Sequence, residues 1–96
     1  MQFEWDAKKS AANQAKHGIT FDQITAFNWA TAKIYADDRQ DYREERQTAR
    51  GMIGVRLHIA VFVLRGDATR LISLRKANRR ERALYETETG SRLRDT

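Results

Sequence analysis

Cysteine is absent from the 96 residues, which excludes a disulfide framework and a thiolate zinc site and is compatible with a reducing compartment. Two histidines cannot assemble a metal site alone, so neither a metal nor a cofactor is expected. The five glycines are isolated, and none falls in a GxGxxG or GxxxxGK(S/T) pattern, which removes the usual phosphate loop of nucleotide-dependent enzymes. No apolar run approaches membrane-spanning length. The opening Gln2, Phe3, Glu4, Trp5 and Asp6 is acidic and lacks the apolar centre of a signal peptide, so a cytoplasmic protein without membrane contact is expected.

Hydrophobic residues make up 41% and charged residues 32%, a balance that supports a folded chain with a lean core. The length fits a single domain over residues 1–96, with no material for a second core. Eighteen Lys and Arg oppose thirteen Asp and Glu, giving a net charge of +5 that attracts polyanions by steering and counterion release. That charge is concentrated: Arg65, Arg70, Arg75, Lys76, Arg79, Arg80 and Arg82 face only Asp67 and Glu81 within the same stretch.

Asp6 can cap a helix over Ala7 to His17, which contains four alanines and no proline, glycine or β-branched residue, and Gly18 suits its left-handed end. Thr20 and Gln23 have capping-box spacing, and Ile19 and Ile24 have that of a hydrophobic staple, so a second helix is expected from Phe21 to Asn28. Lys33 to Ala36 and Gln47 to Ile53 are strand candidates separated by a charged loop, Asp37 to Glu45. Val55, Leu57, Ile59, Val61 and Val63 alternate with other residues, Gly66 and Asp67 supply a tight turn, and Thr69 to Ala77 returns as the partner strand. Asn78 and Glu81 form an Asn-x-x-Glu box opening a last helix to Glu88. The expected class is α+β, with two N-terminal helices, an antiparallel sheet of about four strands and a C-terminal helix.

Phe-Glu-Trp-Asp at 3–6, Asn-x-x-Lys-His-Gly-Ile-x-Phe at 13–21, Asp-Asp-Arg at 37–39, Glu-Glu-Arg at 44–46 and Ile-Ser-x-Arg-Lys-Ala-x-Arg-Arg-Glu-Arg-x-x-Tyr-Glu at 72–86 together resemble the BrnT toxin family. Ala7 departs from it, standing where the family often has proline. The resemblance implies a RelE-like fold, metal-independent cleavage of RNA, and neutralisation by a BrnA-like antitoxin. That antitoxin would carry a ribbon-helix-helix domain, so that operator DNA is reached only through it, in a hetero-oligomer.

Cleaving RNA without a metal requires a proton acceptor for the 2′-hydroxyl, a donor to the departing 5′-oxygen, and cations around the phosphorane. Arginine suits the last task, because its planar fork grips two phosphate oxygens and stays charged. Arg75 is the first choice: strand alternation places Leu71, Ser73, Arg75 and Ala77 on one face and Ile72, Leu74 and Lys76 on the other, with Arg75 near the strand end. Arg79, Arg82 and Tyr85 follow at three-residue steps along the next helix. Arg75, Tyr85, Arg46 and Glu81 are therefore the catalytic candidates, and Arg39, Lys76, Arg79, Arg80 and Arg82 the RNA-binding ones. Tyr85 is equally suited to the core, and Glu81 is accounted for by its cap. His17 suits a helix end, His58 a packed strand position, and Trp5 and Trp29 the core or an interface.

Two other readings fit the same cations. In one, the chain is a non-catalytic nucleic-acid-binding module that contacts phosphates without making product. In the other, the basic surface chiefly docks an acidic or amphipathic partner.

Overall fold

The computed structural model describes residues 2–37 and 45–93. A five-stranded sheet has the order β1-β5-β4-β3-β2, with β1 at Gln2–Glu4, β2 at Lys33–Asp37, β3 at Arg46–Ile53, β4 at Arg56–Arg65 and β5 at Ala68–Lys76. Helix α1 spans Ala7–His17 and α2 spans Arg79–Thr89. Strands β2 to β5 pair antiparallel, whereas β1 pairs with β5 in parallel. The sheet is thus mixed and one strand larger than expected. Three residues are too short for period-two reading, and β1 exists because Phe3 and Trp5 reach the core, Phe3 against Trp29 at 5.9 Å and Trp5 against Phe21 at 6.4 Å between ring centroids.

Asp6 caps α1 by accepting from the Lys8 and Lys9 N–H groups, and Gly18 ends it at φ 76°, a conformation that costs glycine little. The expected second helix is instead a pair of 3-10 helices, Phe21–Ala26 and Trp29–Thr31. Thr20 makes no capping bond to the backbone, since its hydroxyl is turned to Asp22, so the Thr20–Gln23 box does not form. Ile19 and Ile24 do meet in the core, together with fully buried Phe21. Burying side chains of this size contributes about 1.5–3 kcal/mol each, which outweighs local helix preference over six residues.

Strand β4 is covered on both faces. Ala60 and Phe62 join Phe21, Ile24, Phe27, Leu71 and Leu74 under α1 and the 3-10 helices, while Leu57 and Ile59 meet Ala77 and Tyr85 under α2. Val55, expected at the head of an aliphatic face, lies in the preceding turn and is exposed. A register shift pairs Val61 with Ser73 but Phe62 with Leu71, leaving Ile72 as an extra residue. Strict alternation therefore fails across it: Leu71 shares the α1 face with Leu74, while Ser73 and Arg75 keep the other. Gly51 is required where Phe27 crosses β3, because a Cβ there would stand 2.6 Å from the Phe27 Cε1.

Asn13 closes the outer edge of β5 beyond the end of β1. Its Nδ2 donates to the Leu74 carbonyl at 2.7 Å and the Ile19 carbonyl at 2.8 Å, and its Oδ1 accepts from the Leu74 N–H at 3.2 Å. Asn13 of the family-like motif thus joins α1 and Ile19 to the sheet.

His58 is buried, and its Nδ1–H donates to the Arg56 carbonyl at 2.9 Å. Burial holds its imidazole below the ordinary histidine range, with Lys76 and Arg56 adding to the effect and the Arg56 carbonyl opposing it. His17 is held low as well, by burial and by Lys16 and Arg75. As pH falls through the ordinary histidine value of about 6.5, the unfolded chain takes up protons that the native state refuses, so stability declines. The urea midpoint is expected to fall between about pH 7.5 and pH 5.5, and to fall less in His58→Gln. A variant with the full wild-type slope would exclude His58 as its source.

Candidate active site

The sheet face that carries Ser73 and Arg75 forms an open cleft against α2. Register sets its floor: Arg75 lies across from Ile59 and Ile59 from Arg50, while Ser73 lies across from Val61, Val61 from Thr48 and Thr48 from Tyr35. Tyr35, Asp37, Thr48, Arg50, Ser73, Arg75 and Glu81 supply the polar lining of a space of about 270 Å³ over Ile59 and Val61. Arg50 and Arg75 stand two strands apart, hence about 10 Å between Cα atoms.

Helix α2 brings two carboxylates to these arginines. Glu81 and Glu88 are seven residues apart, two turns on one helix face and about 10.5 Å along the axis, which is close to the Cα separation of the two arginines. Arg75 donates from Nη1 to Glu81 Oε1 and from Nη2 to Oε2, each at 2.8 Å. Arg50 donates from Nη1 to Glu88 Oε1 at 3.1 Å and lies 4.5 Å from the centroid of the Tyr35 ring, whose hydroxyl donates to the other Glu88 oxygen.

Glu81 also completes the expected capping box: its Oε1 accepts from the Asn78 N–H at 2.9 Å, and Asn78 Oδ1 accepts from the Glu81 N–H at 2.8 Å. The Arg75 fork holds its carboxyl below the usual range against the opposing effect of burial, with the Asn78 N–H and the charges of Arg75 and Arg50 assisting. A carboxylate so engaged is a poor proton acceptor and a firm anchor for Arg75. Burial first, then the bond to Glu88, pushes the Tyr35 hydroxyl above its ordinary range, so it stays protonated.

The other sequence-derived candidates are spread more widely. Arg46 opens β3 across from buried Asp37, on the face shared by Thr48 and Arg50. Tyr85 is 2% exposed beneath α2, and its hydroxyl donates to the Thr31 carbonyl at 2.9 Å, outside the cleft. Lys76 pairs with His58 in register and is exposed on the opposite face from Arg75. Arg79 and Arg82 border a separate shallow depression with Ala83, Glu86 and Leu93, and Arg80 is exposed on α2. Arg39 lies outside the described residues. The structure therefore unites Arg75 and Glu81, keeps Arg46 on the same sheet face, and turns Lys76, Arg79 and Arg82 elsewhere. Arg50, Tyr35 and Glu88 were missed by sequence reasoning. The recoverable signal was the Glu81–Glu88 spacing, which marks two acids on one face of a helix.

Among the described residues, no group of three or more His, Cys, Asp or Glu side chains is placed to hold a metal ion, and no helix is long and apolar enough to cross a membrane. Fold and cleft together define a small basic α+β protein with an arginine-lined groove between a sheet face and a C-terminal helix. The family model described as the ribonuclease toxin BrnT of type II toxin-antitoxin systems matches residues 5–81. The chain belongs to that family, and so to the ribonuclease-toxin side of such a system. Comparison with curated proteins gave no match. The matched span ends at Glu81, so Tyr85 and Glu88 fall beyond it.

Proposed function

We propose that this chain, acting as one domain in the cytoplasm, is a metal-independent endoribonuclease whose cleavage of RNA arrests translation and growth. The observation that carries this reading is the two-point Arg75–Glu81 pair in the cleft of a chain that belongs to the BrnT family. As the 2′-oxygen bonds to phosphorus and the bond to the 5′-oxygen breaks, negative charge grows on the phosphoryl oxygens. Arg75, already oriented, stabilises that charge without reorganising. Glu81 acts by orienting Arg75. Tyr85 acts from below, tying α2 to the Thr31 carbonyl and so fixing the height of Glu81 over the sheet.

Arg46 extends the positive surface along the sheet face, Arg39 adds a further RNA-binding charge, and Lys76, Arg79, Arg80 and Arg82 attract flanking phosphates around the helix start. A BrnA-like antitoxin with a ribbon-helix-helix domain neutralises the toxin in a hetero-oligomer and supplies the contact with operator DNA. Its support is family membership and the net charge of +5, which favours an acidic covering segment. Incubating the purified protein with single-stranded RNA in excess EDTA is expected to yield discrete fragments, and expression without antitoxin to halt growth. Salt-sensitive binding with no product and no growth arrest would favour the non-catalytic binding module instead.

A further inference from the structure

Resting on the ribonuclease reading, we propose that Arg50 is a second phosphate-contacting residue of the cleft and, with Arg75 held by Glu81, makes the more extensive direct contact with an RNA phosphodiester. The argument is an accounting of donors. A guanidinium has five N–H groups in a fixed fork. Arg75 directs both terminal nitrogens at Glu81, and its Nη1 also reaches the Lys76 carbonyl at 3.3 Å. Its strongest phosphate-gripping edge is therefore occupied by a carboxylate that is also bound to the start of α2.

Arg50 is arranged differently. Only Nη1 is engaged, on Glu88, and its Nε and Nη2 make no hydrogen bond with the described residues. Its side chain is 21% exposed and lines the same cleft. Stacking on the Tyr35 ring and the bond to Glu88 fix the guanidinium before any ligand arrives, so little rotamer entropy remains to be lost on binding. Tyr35 and Glu88 are themselves joined, so the three side chains form a closed support. Ile59 lies between the two arginines, and in the next row of the same sheet face Thr48 and Ser73 flank Val61 and add hydroxyl donors to the floor of the cleft. Arg50 thus supplies the open fork, while Arg75 supplies a fixed charge close by.

The test compares Arg50→Ala, Arg50→Gln, Arg75→Ala and the exposed-lysine control Lys9→Ala in the full chain. Binding is measured on a 2′-O-methyl single-stranded RNA oligomer across a salt series, and cleavage on the unmodified oligomer. Arg50→Ala is expected to lower the magnitude of the log–log salt slope by about 0.7 and to weaken binding about tenfold, because one phosphate contact is lost. Cleavage should fall by at least the same factor, while Lys9→Ala leaves cleavage unchanged. Arg50→Gln keeps part of the aliphatic stem and an uncharged amide donor, so it guards against a folding defect and carries the same expectation for the slope.

A folded Arg50 variant with wild-type slope and cleavage, beside an inactive Arg75→Ala, would overturn the proposal and leave the ribonuclease reading standing. A wild-type protein that neither binds nor cleaves the oligomer would overturn both.

Discussion

Arg75→Ala is expected to lower RNA cleavage by about 10²-fold or more while the protein still unfolds cooperatively, the scale seen when one preorganised transition-state donor is removed. Two effects act in the same direction. The cation nearest the developing charge is lost, and Glu81 is left as an uncompensated carboxylate on the wall of the cleft, where it repels the phosphate. The fold has reason to survive, because Glu81 keeps its bond to the Asn78 N–H and the helix start stays capped.

This separates binding from chemistry. Arg75→Ala combined with Glu81→Gln should regain RNA affinity relative to Arg75→Ala, since the repelling charge is gone, but should not regain cleavage. Arg75→Lys keeps the charge without the fork and should fall between the wild type and the alanine variant. Single-turnover cleavage beside thermal unfolding measures all of these. Wild-type cleavage by a folded Arg75→Ala would remove the guanidinium from the mechanism.

Asn13→Ala is expected to cost about 3 kcal/mol, because truncation removes three buried hydrogen bonds and leaves peptide groups at Ile19 and Leu74 without partners. In a chain of this size that corresponds to a fall in Tm of more than about 10 °C. Asn13→Asp is the informative companion. It keeps an acceptor for the Leu74 N–H but turns a carboxylate toward two carbonyl oxygens, so it should be at least as damaging despite its near-identical shape. The consequence reaches the site, since Leu74 precedes Arg75 and a loosened β5 edge would blur the placement of its guanidinium. Differential scanning fluorimetry decides the point, and a shift of only a few degrees would mean that water replaces the amide.

The elements with strong local signals were legible from the sequence. Helix α1 begins and ends as its cap residues require, β4 and β5 form the expected hairpin, and the Asn78–Glu81 box is present. Strand β1 and the 3-10 helices were not legible, because β1 pairs with a strand far along the chain and the 3-10 helices take their conformation from packing on the sheet. Arg75 was found from its position at the strand end. Its partner Glu81 was read as a cap residue and a catalytic candidate without its bond to Arg75, and Arg50 was hidden in a strand with weak periodicity.

The sequence by itself determined the basic charge, the absence of thiol chemistry, the capped ends of α1, the start of α2 and the central hairpin, all of which depend on composition or on residues within a few positions of one another. Only the tertiary structure decided that β1 pairs in parallel with β5, that Ile72 interrupts the alternation, and that Arg50 and Arg75 stand over one cleft facing Glu88 and Glu81. The physical reason is the separation involved. Strand order and register bring Arg50 within reach of a carboxylate 38 residues away, and no local rule of caps or periodicity carries information across that length of chain.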